Sequence, residues 1–224
     1  MRESFVDAQE NTTDRYLELC DVWRKKYLEM DRQELKERFH LEGGQDAHFI
    51  TYFSQRYRLD QRTGMLTLEA DPERKLPFNT VMSIYHLFYY SKPYARVSGR
   101  FVPFRDVKRA APFDAAFKRN ILDAAARTFD GHLAELHKAC KALGGQPVAQ
   151  GDAGYQIYAF DCMPLQFIFW DGDEEFPAQA NILFDAEITD FLHEETVVCV
   201  GDDLFRRLTE EAGLEKVRRP FGAR

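Results

Sequence analysis

The chain has 224 residues and a formal net charge of −7, and 45% of its residues are hydrophobic. This length fits one large domain or two small ones, and the apolar fraction is ample for a buried core. No apolar run approaches the ~18 residues of a membrane span. The charged N-terminus also lacks the apolar segment of a secretory signal. We therefore expect a cytoplasmic protein without a membrane partner.

Acidic residues are concentrated in the last third of the chain. From residue 151 onward there are 16 acidic and 6 basic residues, a net charge of −10. Phosphate binding needs the opposite sign, so nucleic acid is not an expected partner. A basic stretch lies earlier in the chain, and its cations are Arg96, Arg100, Arg105, Lys108 and Arg109. We expect Arg100 or Arg105 to form ion pairs with acids farther along.

The N-terminal region has the pattern of two helices. Apolar residues recur at spacings of 3 and 4 over residues 16–30, which predicts an amphipathic helix that begins near residues 11–13. Asp31 and Glu34 have capping-box spacing, which predicts a second, short helix. We interpret residues 1–45 as a helical extension.

The rest of the chain mixes strand and helix patterns and predicts an α+β fold. The expected elements are strands from Ala47 to about residue 70, a Pro-rich linker at 71–77, a helix at 78–91, a long helical region from Pro112 to Gly144, strands at 154–161, 165–170, 178–184 and 196–200, and a helix at 202–212. We predict one domain spanning 1–224, with an α+β core at 46–217 and a tail at 218–224. An antiparallel or mixed sheet should pack against the helices.

The most informative stretch runs from Leu165 to Asp185. Residues 165–170 are apolar on both faces apart from Gln166, which is typical of an interior strand, and Trp170 ends this run. Turn formers and acids follow, and a second apolar run begins at Ala178. The pattern predicts a β-hairpin. Its turn carries four acids, which are Asp171, Asp173, Glu174 and Glu175.

Like charges packed this closely require water, a proton, a basic partner or a cation. One hypothesis is a site for Mg²⁺, Ca²⁺ or Mn²⁺ formed by Asp171, Asp173 and Glu175, with help from Asp185. Asp185 would share the turn only if the two strands were not a simple antiparallel pair. The acids resemble an EF-hand loop at its first, third and fifth positions only, since the twelfth position is Ile182.

Two other interpretations of the acidic turn stay open. One carboxyl group could act as a general acid or base if the apolar wall of Trp170 or Phe176 raised its pKa. The turn could instead be structural, with its acids capping backbone amides and pairing with Arg100 or Arg105.

Other catalytic templates are absent from the sequence. There is no G-x-S-x-G, H-E-x-x-H, Walker A or G-x-G-x-x-G motif. The four cysteines are far apart, without a C-x-x-C pair, so we expect reduced thiols rather than a zinc or iron–sulfur ligand set.

The chain resembles the uncharacterised domain-of-unknown-function family DUF3786. The segments that carry the resemblance are SGRFVPFR at 98–105, GDAGY at 151–155, LQFIFWDGDEEFP at 165–177 and ILFD at 182–185. The resemblance implies an anaerobic bacterial or archaeal host. Relatives can be joined to a cysteine-bound iron–sulfur module of the kind seen in corrinoid proteins, which this chain lacks. The family supplies no reaction.

These observations lead to two hypotheses about function. The first is a non-catalytic binding or accessory protein, which would recognise a protein partner or small ligand through the hairpin and the basic stretch. Under the family resemblance, it would belong to anaerobic metabolism, either corrinoid or iron–sulfur. The alternative is an enzyme that uses the hairpin carboxylates directly or through a divalent cation.

Overall fold

The computed structural model describes the backbone of residues 3–217 and the side chains of residues 15–217. The predicted tail at 218–224 lies outside the described residues. Among the helices of the described part, none is both long and apolar enough to cross a membrane.

The chain divides into two compact units. The first comprises Met1–Ile50 and Arg56–Tyr89, and the second comprises Thr51–Gln55 and Tyr90–Arg224. The helices predicted as an extension over residues 1–45 lie in the first of these units.

The first part of the chain combines helices with a small sheet. Its elements are α1 (Glu3–Glu29), α2 (Arg32–Arg38), β1 (Glu42–Gly43), β2 (Ala47–Tyr52), β3 (Gln55–Asp60), β4 (Leu66–Leu68) and α3 (Phe78–Tyr90). The strand order is β1-β2-β3-β4, and the β1–β2 and β3–β4 pairs are antiparallel. The predicted cap is confirmed, since the Asp31 carboxylate accepts hydrogen bonds from the backbone N–H groups of Gln33 and Glu34. Helix α1 begins earlier than predicted.

Aromatic packing explains why the N-terminal helices are part of the first unit. Trp23 on α1 packs edge-on against Tyr89 on α3, with ring centroids 5.0 Å apart. Tyr27 is fully buried and lies 6.0 Å from the Phe88 ring. Burial of the Trp23, Tyr27 and Phe88 rings stabilises the unit and requires α1 and α3 together.

The second unit contains the larger sheet. Its elements are β5 (Phe101–Pro103), α4 (Asp114–Phe117), α5 (Asp123–Phe129), α6 (Leu133–Ala142), β6 (Gln146–Pro147), β7 (Ala153–Phe160), β8 (Met163–Trp170), β9 (Gln179–Asp185) and α7 (Glu194–Ala212). The strand order is β5-β9-β8-β7-β6, with every neighbouring pair antiparallel. The two antiparallel sheets and their helices confirm the predicted α+β class.

One face of the larger sheet is covered by helices. Phe167 and Ile182 are paired across β8 and β9 and are fully buried. Phe129 on α5 packs edge-on against Phe167, with centroids 6.2 Å apart. The opposite face is partly open, since Tyr158 and Trp170 are exposed to 40% and 36%.

The strand predicted at residues 196–200 is wrong. These residues lie inside α7, where Val197, Val200, Leu204 and Leu208 are all fully buried. Their spacings of 3 and 4 give one apolar helical face. Tertiary burial of that face outweighs the strand preference of the valine-rich segment.

Candidate functional site: a groove beside the β8–β9 hairpin

The predicted hairpin is present as a simple antiparallel pair. The register joins Trp170 to Gln179 and Leu165 to Phe184, and the acidic turn lies in the connecting loop, residues 171–178. This register places Asp185 at the opposite end of the hairpin, where it pairs with Phe101 of β5. Asp185 therefore does not contribute to the acidic turn, and its proposed help in a metal site is wrong.

Asp185 is instead a buried tether for the loop before β5. Its side chain is 2% exposed and accepts hydrogen bonds from the Ser98 N–H at 3.1 Å, the Ser98 hydroxyl at 3.0 Å and the Gly99 N–H at 2.7 Å. The Glu187 N–H donates a further bond at 3.0 Å. A buried carboxylate is favourable only when it is hydrogen-bonded in this way. Its role in the second unit is structural.

Asp173 organises the acidic turn from within. Its Oδ1 accepts hydrogen bonds from the backbone N–H groups of Phe176 at 2.7 Å and Glu175 at 2.8 Å. The Asp173 N–H donates in turn to the Phe176 carbonyl at 2.9 Å. The bonds from the Phe176 and Glu175 N–H groups lower the pKa of Asp173, because they favour the ionised form. A carboxyl group held ionised in this way is a poor general acid.

The lowered pKa of Asp173 gives a testable pH dependence. Because folding favours its carboxylate, this contribution to stability is present above the ordinary aspartate pKa and is lost as the pH falls through the lowered value. In an NMR titration, we expect the Glu175 and Phe176 amide shifts to follow a midpoint below the ordinary value of about 3.9. The Asp173→Asn variant should lose that titration. A midpoint at or above the ordinary value would contradict the assignment.

Asp171 joins the turn to two neighbouring loops. Its Oδ1 accepts a hydrogen bond at 2.8 Å from the N–H of Gly131, in the connection between α5 and α6. Its own N–H donates to Asp152 Oδ2 at 2.8 Å. Asp130 also lies against the turn, since a Cβ added at Gly172 would be only 2.6 Å from Asp130 Oδ1. These contacts support the structural interpretation, in which the acids cap backbone amides.

The predicted basic partners of the turn are elsewhere. Among the ion pairs of the described residues, none joins Arg100 or Arg105 to the turn, and the Arg105 Nε lies 3.9 Å from Asp106 instead. This part of the prediction is wrong. Within the described part of the chain, no three His, Cys, Asp or Glu side chains are grouped to hold a metal ion. The proposed ligands Asp171, Asp173 and Glu175 thus do not form such a group.

A groove of about 540 Å³ opens beside the hairpin, and we call it the β9 groove. Its residues come from the start of β9, the end of β5 and the α4–α5 region: Pro103, Phe104, Arg105, Asp114, Lys118, Leu122, Asp123, Ala126, Pro177, Ala178, Gln179, Ala180 and Asn181. Its volume is within the range of ligand sites. Arg105 and the second strand of the hairpin, both expected at the functional surface, therefore meet here rather than at the acidic turn.

The groove exists because β5 is shorter than β9. Strand β5 pairs only with Leu183–Asp185, and after Pro103 the chain turns into a 3₁₀ segment at Phe104–Asp106. Phe104 is buried and stacks on Phe117 with centroids 4.1 Å apart, which draws the chain away from the sheet. The first residues of β9 are thus left as an open edge.

The helical wall of the groove contains a π-helical segment, Lys118–Leu122, between α4 and α5. Lys118 Nζ lies 2.7 Å from Asp123 Oδ1, although residues five apart are not neighbours on a regular α-helix. Such π segments often occur at functional sites. Asn181 pairs with Ile168, so its side chain lies on the sheet face opposite the helical wall, and its buried side-chain oxygen accepts no hydrogen bond from the described residues.

Sequence reasoning missed Lys118, Asp123 and Asn181 as candidate site residues. Lys118 and Asp123 belong to a helical region whose charges look like an ordinary solvated face. Asn181 looks like one polar residue in an apolar strand. An asparagine within the run from Ala178 to Phe184 was the one available signal, because a buried amide requires hydrogen-bonding partners.

The fold and the groove define an α+β protein with a candidate binding site at an open sheet edge. The chain belongs to the family "Domain of unknown function (DUF3786)", whose family model matches residues 31–207. The match confirms the resemblance drawn from the sequence. A search of curated proteins and a search of solved structures each found no match.

Proposed function

We propose that this protein is a non-catalytic binding or accessory protein that holds a partner protein or small ligand in the β9 groove. The observation that carries the proposal is the groove itself, a cavity of about 540 Å³ that adjoins an open strand edge. Grooves of this size with a few polar groups fix a ligand's orientation through those groups. Arg105, Lys118 and Asp123 are such groups here.

The alternative, an enzyme that uses the hairpin acids, has less support. Asp171 and Asp173 already accept hydrogen bonds from backbone amides, and neither lines the β9 groove. A catalytic carboxyl group must reach a bound substrate. Anaerobic corrinoid or iron–sulfur metabolism, as the setting of the proposed partner, rests on the family resemblance alone.

Blocking the groove should abolish binding. We expect a library of small-molecule fragments and short peptides to yield binders that shift the amide NMR signals of Lys118, Gln179 and Asn181. In the Ala178→Trp variant these shifts should disappear, because the indole would fill space that Ala178 leaves at the groove wall. The matched control is Ala134→Trp, at an exposed position on α6, which should bind as the wild type does. Binders that shift other surfaces, or that tolerate Ala178→Trp, would contradict the proposal.

A further inference from the structure

The open edge of β9 has a defined hydrogen-bonding direction. The Ala186 N–H donates to the Arg100 carbonyl at 2.9 Å, so the backbone groups of Ala186 face the β5 side. In an antiparallel ladder, alternate residues face the same side. Ala180 therefore directs its N–H and C=O to the β5 side as well. Strand β5 pairs no further than Leu183, so neither group of Ala180 has a strand partner in the described chain.

This edge lacks the features that usually prevent strand addition. Natural edge strands carry lysine, inward charges, bulges or proline to block pairing. The segment Gln179–Asn181 has none of these, and its register with β8 is regular. The nearest proline is Pro177, ahead of the strand. An extended polypeptide is the ligand that presents alternating N–H and C=O groups at the spacing of such an edge.

The groove walls also indicate which side chains a bound strand would carry. Leu122 and the buried Ala126 lie on the helical wall, so a side chain pointing toward them should be aliphatic. The end of the groove near Pro177 follows directly on the acidic turn. Glu174 and Glu175 in that turn are exposed and form no ion pair among the described residues. Charge complementarity therefore favours Lys or Arg at that end of the bound strand.

We propose that the β9 groove binds an extended basic segment of a partner protein, which adds to the open edge of β9 as a further strand in line with β5. This inference rests on the proposed function and specifies its ligand. The bound strand pairs with the backbone of Ala180, directs an aliphatic side chain toward Leu122 and Ala126, and places its basic end beside Glu174 and Glu175.

The test uses the full chain and a displayed library of random peptides about eight residues long, enough to span the open edge at roughly 3.3 Å per residue. Enriched peptides are synthesised and their affinities are measured by fluorescence polarisation. We expect an aliphatic core with Lys or Arg toward one end. Methylating the backbone nitrogen that donates to β9 should weaken binding about tenfold or more, while methylation at the adjacent residues, which face away, should have little effect.

Variants of the protein test the same backbone pairing from the side of β9. Ala180→Pro removes the outward N–H at an edge position, where proline is tolerated, and should abolish peptide binding. Ala180→Val keeps that N–H and should retain binding. Glu174→Gln combined with Glu175→Gln should weaken binding and reduce its salt dependence. The matched control is Glu135→Gln combined with Glu187→Gln, at exposed positions that do not line the groove. It should change neither the peptide affinity nor the salt dependence of binding.

The outcomes separate this inference from the proposed function. Fragments that bind the groove, without any peptide sensitive to backbone methylation, would overturn strand addition and leave the proposed function standing. An absence of any groove ligand would overturn both. Enriched peptides without basic residues would overturn the charge assignment. A protein that sediments as a dimer, and as a monomer in Ala180→Pro, would identify the occupant as a second copy of this chain and overturn the proposal.

Discussion

Replacing Asp185 with alanine is expected to lower the free energy of unfolding by about 3 kcal/mol, because the substitution removes a buried carboxylate that accepts four hydrogen bonds. The Ser98 and Gly99 N–H groups, the Ser98 hydroxyl and the Glu187 N–H all donate to this one carboxylate. Without this carboxylate, the loop that leads into β5 should also become more mobile. Urea unfolding followed by circular dichroism measures the change.

The control for this prediction is Glu187→Ala, which removes an exposed side chain and keeps the N–H that donates to Asp185. It should alter stability by no more than about 0.5 kcal/mol. Asp185→Asn should fall between the two, because the amide keeps one acceptor oxygen and places a donor against other donors. If Asp185→Ala lowered the free energy of unfolding by less than about 1 kcal/mol, the structural role assigned to the Asp185 carboxylate would be contradicted.

Replacing Phe117 with alanine should cost about 3–5 kcal/mol, since it opens a cavity in a tightly packed aromatic cluster. Phe117 is fully buried, stacks on Phe104 and packs edge-on against Phe184 with centroids 5.9 Å apart. Gly201 on α7 leaves room for its ring, because a Cβ there would be only 2.6 Å from a Phe117 ring carbon. The same substitution at Phe176, which is 62% exposed, is the matched control.

Phe176→Ala should stay within about 0.5 kcal/mol of the wild type. Phe117 also precedes the π-helical segment that forms a wall of the β9 groove, so Phe117→Ala should broaden the amide NMR signals of Lys118 and Leu122. Equal losses for the two variants in urea unfolding would show that the cluster around Phe117 is not the core of the second unit.

Local patterns predicted the elements whose formation depends on nearby residues. The alternation and turn chemistry of residues 165–185 predicted the β8–β9 hairpin, and the spacing of Asp31 and Glu34 predicted the start of α2. In both cases, the residues that determine the structure lie within a few positions of one another. The segment at 196–200 was mistaken for a strand because distant packing decides its state, and its neighbours in sequence do not.

What the sequence by itself determined is the α+β class, the family and the hairpin with its acidic turn. Tertiary structure decided where Asp185 and Arg105 lie. The antiparallel register places Asp185 at the far end of the hairpin. The basic stretch contributes only the short strand β5, and Arg105 follows it. The β9 groove depends on that short strand and on a π-helical segment, Lys118–Leu122. Both arise from packing between residues far apart in the chain, which no local period encodes.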